Sequence, residues 1–162
     1  MAGRSPADHR DVRSVLRHVP LLRERARHDI EPPAWTGPGD AKRVLIEEGD
    51  DELRTAMTGA LRRAGYQTAE CAGPGGHGDG RCPLVAGTGC HAVDGADAVV
   101  HVLVTSDEPM NEVRTAVIGE DPDLPVIVFA PAPTVARRPD LVEGSQVSTG
   151  PLTRTGVVAA VQ

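Results

Sequence analysis

Aromatic side chains are nearly absent from this 162-residue chain, which has one Trp, one Tyr and one Phe. A hydrophobic core must therefore be assembled from Val, Leu, Ile and Ala. Val-rich runs alternating with helical patterns favour a buried parallel sheet. Long apolar runs are missing as well, so no segment suits a membrane span. The polar, Arg-bearing N-terminus lacks the apolar centre of a signal peptide, and a cytoplasmic protein is expected. Cysteine is sparse and odd in number, three in all, which argues against a structural disulfide framework. No internal repeat is visible. The formal net charge of −6 argues against nucleic acid as a direct partner of the main body.

What is present divides the chain in two. Residues 1–30 carry seven Arg against four acidic residues, so the excess of acid lies in the remainder. Val12, Val15, Leu16, Val19 and Leu22 fall on one helical face, although Pro20 would kink or split that helix. Residues 31–40, EPPAWTGPGD, read as a linker. The expected domains are a basic arm with its Pro/Gly linker over 1–40 and a folded body over 41–162. The arm packs on its own body, docks on a partner or joins two copies; no helix-turn-helix pattern is recognisable in it.

The body is organised around residues 42–66, KRVLIEEGDDELRTAMTGALRRAGY. Val44-Leu45-Ile46 forms a short strand, followed by an acidic knot of Glu47, Glu48, Asp50 and Asp51. Leu53, Met57, Ala60, Leu61 and Ala64 then recur at helical spacing, and Gly65 stands where such a helix ends. Further strands are expected over 66–71, 96–104, 124–129 and 146–149. Helices are expected from Ser106, a cap, to Gly119, then over 134–142 and 152–161. Residues 72–95, AGPGGHGDGRCPLVAGTGCHAVDG, are rich in Gly and carry no 3.6-residue apolar period. They predict a loop or collapsed helix where an alternating βα chain would place its second helix.

This pattern resembles the receiver domain of two-component response regulators. The strand, the acidic pair, a first helical turn reading Glu52-Leu53-Arg54 and a closing Gly65-Tyr66 carry the likeness, which covers residues 43–162. It implies an α/β, flavodoxin-like fold: a five-stranded parallel sheet of order 2-1-3-4-5, with the second helix replaced by a Gly/Cys/His-rich loop. The resemblance also implies where phosphorylation chemistry would sit, and there the chain departs from the family. Aligned on Glu52-Leu53-Arg54, the Mg²⁺-binding acidic pair falls on Glu48 and Gly49. Aligned on Asp97, the phospho-acceptor falls on Val102, which has no nucleophilic oxygen. The Ser/Thr position falls on Ala130 and the Lys position on Gly150. Shifting the register does not restore them: residues 99–104 and 147–155 contain no Asp, Glu or Lys, and the nearest basic side chain is Arg154. The chain reads as a pseudo-receiver, an atypical response regulator.

Two further groups of residues have chemistry to offer. The acids of residues 47–51 either bind a divalent cation or, with Glu52, cap a helix and complement its dipole. Cys71, His77, Cys82, Cys90 and His91 lie within 21 residues, spaced C-x5-H-x4-C-x7-C-H. Thiolate and imidazole suit Zn²⁺, and three thiolates with an unusual fourth ligand could hold an iron–sulfur cluster. No C-x2-C pair is present, however, and a thiol switch or three inert cysteines fit the same spacing. His101, within the third strand, reads as a core histidine with one ring nitrogen satisfied.

The expected function is non-enzymatic: a receiver-like signalling module that works through a protein partner or a homodimer, independently of phosphorylation. In the family, the face made by the fourth helix, fifth strand and fifth helix commonly serves such contacts. A metal or redox sensor using residues 71–91 is the alternative. A flavodoxin-fold enzyme or cofactor binder ranks below both, since no Walker-type G-x-x-x-x-G-K run occurs.

Overall fold

Buried apolar strands fix the architecture. The computed structural model describes residues 35–74, 82–103 and 108–162. The arm up to residue 34, His77 and the helix cap expected at Ser106 lie outside the described residues. Strands β1 (Arg43–Glu47), β2 (Gln67–Cys71), β3 (Ala98–Val102), β4 (Val126–Phe129) and β5 (Gln146–Ser148) alternate with helices. All pairings are parallel, in the order β2-β1-β3-β4-β5. This is the flavodoxin-like order.

Side-chain alternation along the strands creates two cores. On one face Val44, Ile46, Val100, Val102, Ile127 and Phe129 meet two helices, α1 (Asp51–Arg63) and the C-terminal α5 (Arg154–Val161), through Met57, Leu61, Val157 and Val161. On the other face Leu45, Val99, Val126 and Val128 meet Val113 and Val117 of α3 (Glu108–Glu120). The same core takes in Leu141 and Val142 of a 3₁₀ turn, Pro139–Val142, that follows a short α4 (Ala132–Arg137). The single helix expected over 134–142 is therefore two pieces: Pro139 cannot continue the hydrogen-bonding of α4. Buried Arg114 of α3 ties this turn down. Its Nη1 donates to the Glu143 carbonyl at 2.6 Å, and its Nη2 donates to the Asp140 carbonyl at 3.3 Å.

Where the second helix was expected to be missing, one turn survives: α2 (His91–Asp94). It contributes Val93 to the core, next to Cys82 and Leu84 from the preceding turns. Cys71, Cys90 and Ala92 pack against them, and so does Trp35.

Trp35 and the residues after it are in contact with the body. Residues 35–40, assigned to the linker, lie on the free edge of β2. The Thr36 amide donates to the Thr68 carbonyl at 3.1 Å, and the Thr68 amide donates back at 2.9 Å. Gly37 runs so close to β2 that a Cβ would stand 2.6 Å from the Tyr66 carbonyl oxygen, at φ +142°. Only glycine fits there. This contact closes an exposed strand edge and brings the lone indole over the face that lacks a full helix. Proline and glycine in 31–40 suggest a linker, but residues 35–40 form a fitted strap.

Replacing Trp35 with Ala is expected to destabilise the body by about 2 kcal/mol, near half the cost of truncating a fully buried aromatic. Chemical denaturation checks it. A chain beginning at Ala41 should lose at least as much, whereas one beginning at Trp35 should keep the stability that residues 35–40 contribute.

Candidate functional site

The C-terminal ends of the strands converge on one edge of the sheet, where open parallel α/β folds bind ligands. Val102 ends β3, Ala130 follows β4, and Gly150 stands two residues beyond β5. These three positions come from separate sequence alignments, yet they line one pocket of about 310 Å³. Phe129, Leu103 and Leu152 complete its apolar wall, and Thr149 supplies the one side-chain hydroxyl. None of the described lining residues carries a charge. Among them there is no carboxylate and no basic side chain.

The acidic knot is spent on structure. Asp50 is the N-cap of α1, its Oδ1 accepting from the Leu53 amide at 2.8 Å. Glu48 is buried, and its Oε1 accepts from the Asp50 amide at 2.8 Å. Its carbonyl accepts from Arg54 Nη1 at 2.7 Å. Asp51 pairs with Arg54 one turn later. Gly49 has nothing within 4 Å of its Cβ position.

Glu47 departs from expectation. It does not belong to the loop but is the last residue of β1, 1% exposed, facing fully buried His101 of β3. Register explains the meeting: Glu47 lies beside His101 on one side and Cys71 on the other. Adjacent strands in a parallel sheet place such partners on the same face. His101 Nδ1 and Glu47 Oε2 are 3.1 Å apart, so one ring nitrogen is satisfied as expected. Glu47 Oε1 and His101 Nε2 have no hydrogen-bond partner among the described residues. Neither residue type signals this pair; only the strand register does.

The cysteines behave as small apolar groups. Cys82 is buried with Leu84 and Val93, and all three thiols are free. Burial pushes the Cys71 thiol up to about 12, with the neighbouring Glu47 carboxylate adding to the effect. Burial raises the Cys90 thiol too, against the opposing pull of the Val93 and Ala92 amides. Both thiols are therefore uncharged at neutral pH, which makes them poor nucleophiles. Among the described residues, no group of three or more His, Cys, Asp or Glu is arranged to hold a metal ion. Cys71, Cys82, Cys90 and His91 thus form no ligand shell in this arrangement; His91 Nδ1 instead lies 3.9 Å from Asp94. Their positions are set by packing over the sheet.

Residues 73–78, GPGGHG, spell G-x-G-x-x-G after a strand, and among the described residues the next helix is the single turn of α2, His91–Asp94. Gly73 answers to packing: a Cβ there would stand 2.4 Å from Met110 Sδ of α3.

No family model matches the chain, and no curated protein matches it. Solved structures do. A response regulator receiver protein from Sinorhizobium medicae is 17% identical, with a TM-score of 0.54 over 75% of this chain and 92% of its own. A receiver domain protein from Clostridium thermocellum is 13% identical, with a TM-score of 0.57 over 74% and 90%. A Vibrio cholerae chemotaxis protein is 14% identical, with a TM-score of 0.55 over 75% and 96%. At these identities the likeness is one of fold.

The Glu47–His101 pair makes a sharp energetic test. Glu47→Val or His101→Leu alone strands a buried polar partner and should cost about 3 kcal/mol or more. The double variant should recover most of that loss, since an apolar pair suits this depth. Denaturant titration of all four proteins measures the coupling.

Proposed function

We propose that this protein is a receiver-like signalling module that acts through protein contacts and does not accept a phosphoryl group. One observation carries the reading: Val102, Ala130 and Gly150 come together in a single uncharged pocket at the strand ends. An aspartyl phosphate needs a carboxylate nucleophile there, a cation to offset the developing charge and donors for the phosphoryl oxygens. Apolar groups occupy the acceptor and donor positions, and Glu48 is committed to the start of α1. The fold match supports the receiver half of the reading; the composition of the pocket supports the rest.

Signalling then depends on surface. β5 lies at the sheet's edge, and its Val147 is one of two large apolar residues more than a third exposed among the described residues. With α4 and α5 on either side, this edge offers unpaired backbone groups beside apolar area, which suits a protein partner or a second copy. No helix among the described residues is long and apolar enough to cross a membrane. The whole role is one of binding; no catalytic residue is assigned.

Incubation with acetyl phosphate and Mg²⁺ should leave the intact mass unchanged. An acid-labile phosphate adduct would contradict the proposal, whichever residue carried it.

A further inference from the structure

The pocket at the strand ends is built almost wholly of apolar side chains. About 310 Å³ is at the lower end of the range for small-molecule sites, roughly 300–1,000 Å³, and would hold on the order of ten waters at ~30 Å³ each. Those waters would face Val102, Leu103, Phe129, Ala130 and Leu152, which give them almost no hydrogen bonds. Displacing poorly bonded water with an apolar group favours binding.

Three features specify the occupant. None of the described lining residues is charged, so an ion entering among them would lose hydration without compensation. Val102 and Ala130 belong to the buried framework, 7% and 5% exposed, so the floor is rigid. The opposite wall comes from the β5–α5 connection, with Thr149, Gly150 and Leu152. That wall directly adjoins the β5 edge proposed for protein contacts.

We propose that this pocket binds a neutral, predominantly apolar small molecule, and that its occupancy is the input that the module reads. The proposal rests on the phosphorylation-independent reading above and adds the ligand class to it. A molecule seated between the ends of β3 and β4 and residues 149–152 braces the connection that leads out of β5. Its effect on the edge strand is mechanical and needs no covalent step.

N-phenyl-1-naphthylamine, an uncharged apolar fluorophore, serves as the probe on the full chain. Saturable fluorescence enhancement at one molecule per chain is expected. Gly150→Leu is the matching variant, because nothing lies within 4 Å of a Cβ at that position and its φ is ordinary. The added side chain fills the pocket without disturbing the backbone, and affinity should fall about tenfold or more. Heteronuclear NMR of the unmodified chain locates the site independently. Shifts should centre on the amides of Leu103, Ala130, Gly150 and Leu152. Shifts centred on the groove between α1 and α5, at Ala60, Ala64 and Val158, would overturn the proposal, as would no binding at all. If the chain stays unphosphorylated yet ignores the probe, this inference alone fails. A phosphate adduct removes the reading beneath it.

Discussion

A parallel strand buried in the middle of a sheet has two faces, and each must be covered by apolar side chains. That requirement governs this protein. β1 and β3 are buried on both faces, and α1 and α5 cover one of them in the ordinary way. On the other, α3 and the 3₁₀ turn cover the half near β4. The half over β1 and β2 would belong to a helix that the Gly-rich residues 72–95 cannot supply. A single helical turn, three cysteines used as hydrocarbon, Leu84 and the only indole in the chain do that work instead. Each fully buried apolar side chain is worth roughly 1.5–3 kcal/mol, so a small number of well-placed groups can stand in for a helix.

This economy bears on what the cysteines do. Their clustering in sequence suggests a metal, and a set of thiols beside a buried His–Glu pair would be a plausible place for one. Burial, with the Glu47 carboxylate alongside, keeps the Cys71 thiol protonated, and that opposes both metal ligation and nucleophilic redox chemistry. The carboxylate that flanks the thiols is itself held by His101. The polar content of this face, Glu47 and His101, is thus turned inward.

Much of this was legible in the sequence because the signals were local. Val44-Leu45-Ile46, the helical period from Leu53 to Ala64 and the cap at Asp50 each depend on neighbours a few residues away, and they fix β1 and α1. Strand order followed from the resemblance to receivers, which the alternation of strands and helices fits. The positions Val102, Ala130 and Gly150 could be named because the resemblance to receivers aligns them, and they fall at or just beyond strand ends. What could not be read was set by distance along the chain. Trp35 stands among Pro and Gly, and nothing local shows that a strap over β2 will carry it to Val93 and Gly95. Glu47 looks like one more loop acid until the register with His101 is known. The single turn of α2 is too short to have a period.

Residues 82–95 and Trp35 pack over the face of the sheet that lacks a full helix, and that packing should be enough to order them in the isolated chain. Hydrogen exchange on the isolated, chelator-treated protein tests it most directly. The amides of Ala86, Val93 and Asp94 donate to backbone carbonyls within this segment at 3.0 Å, and they should be protected together with the Thr68 amide that holds residue 36. Exchange of these amides at free-peptide rates, while β1 and β3 stay protected, would contradict the account and return the open face to a metal or a partner.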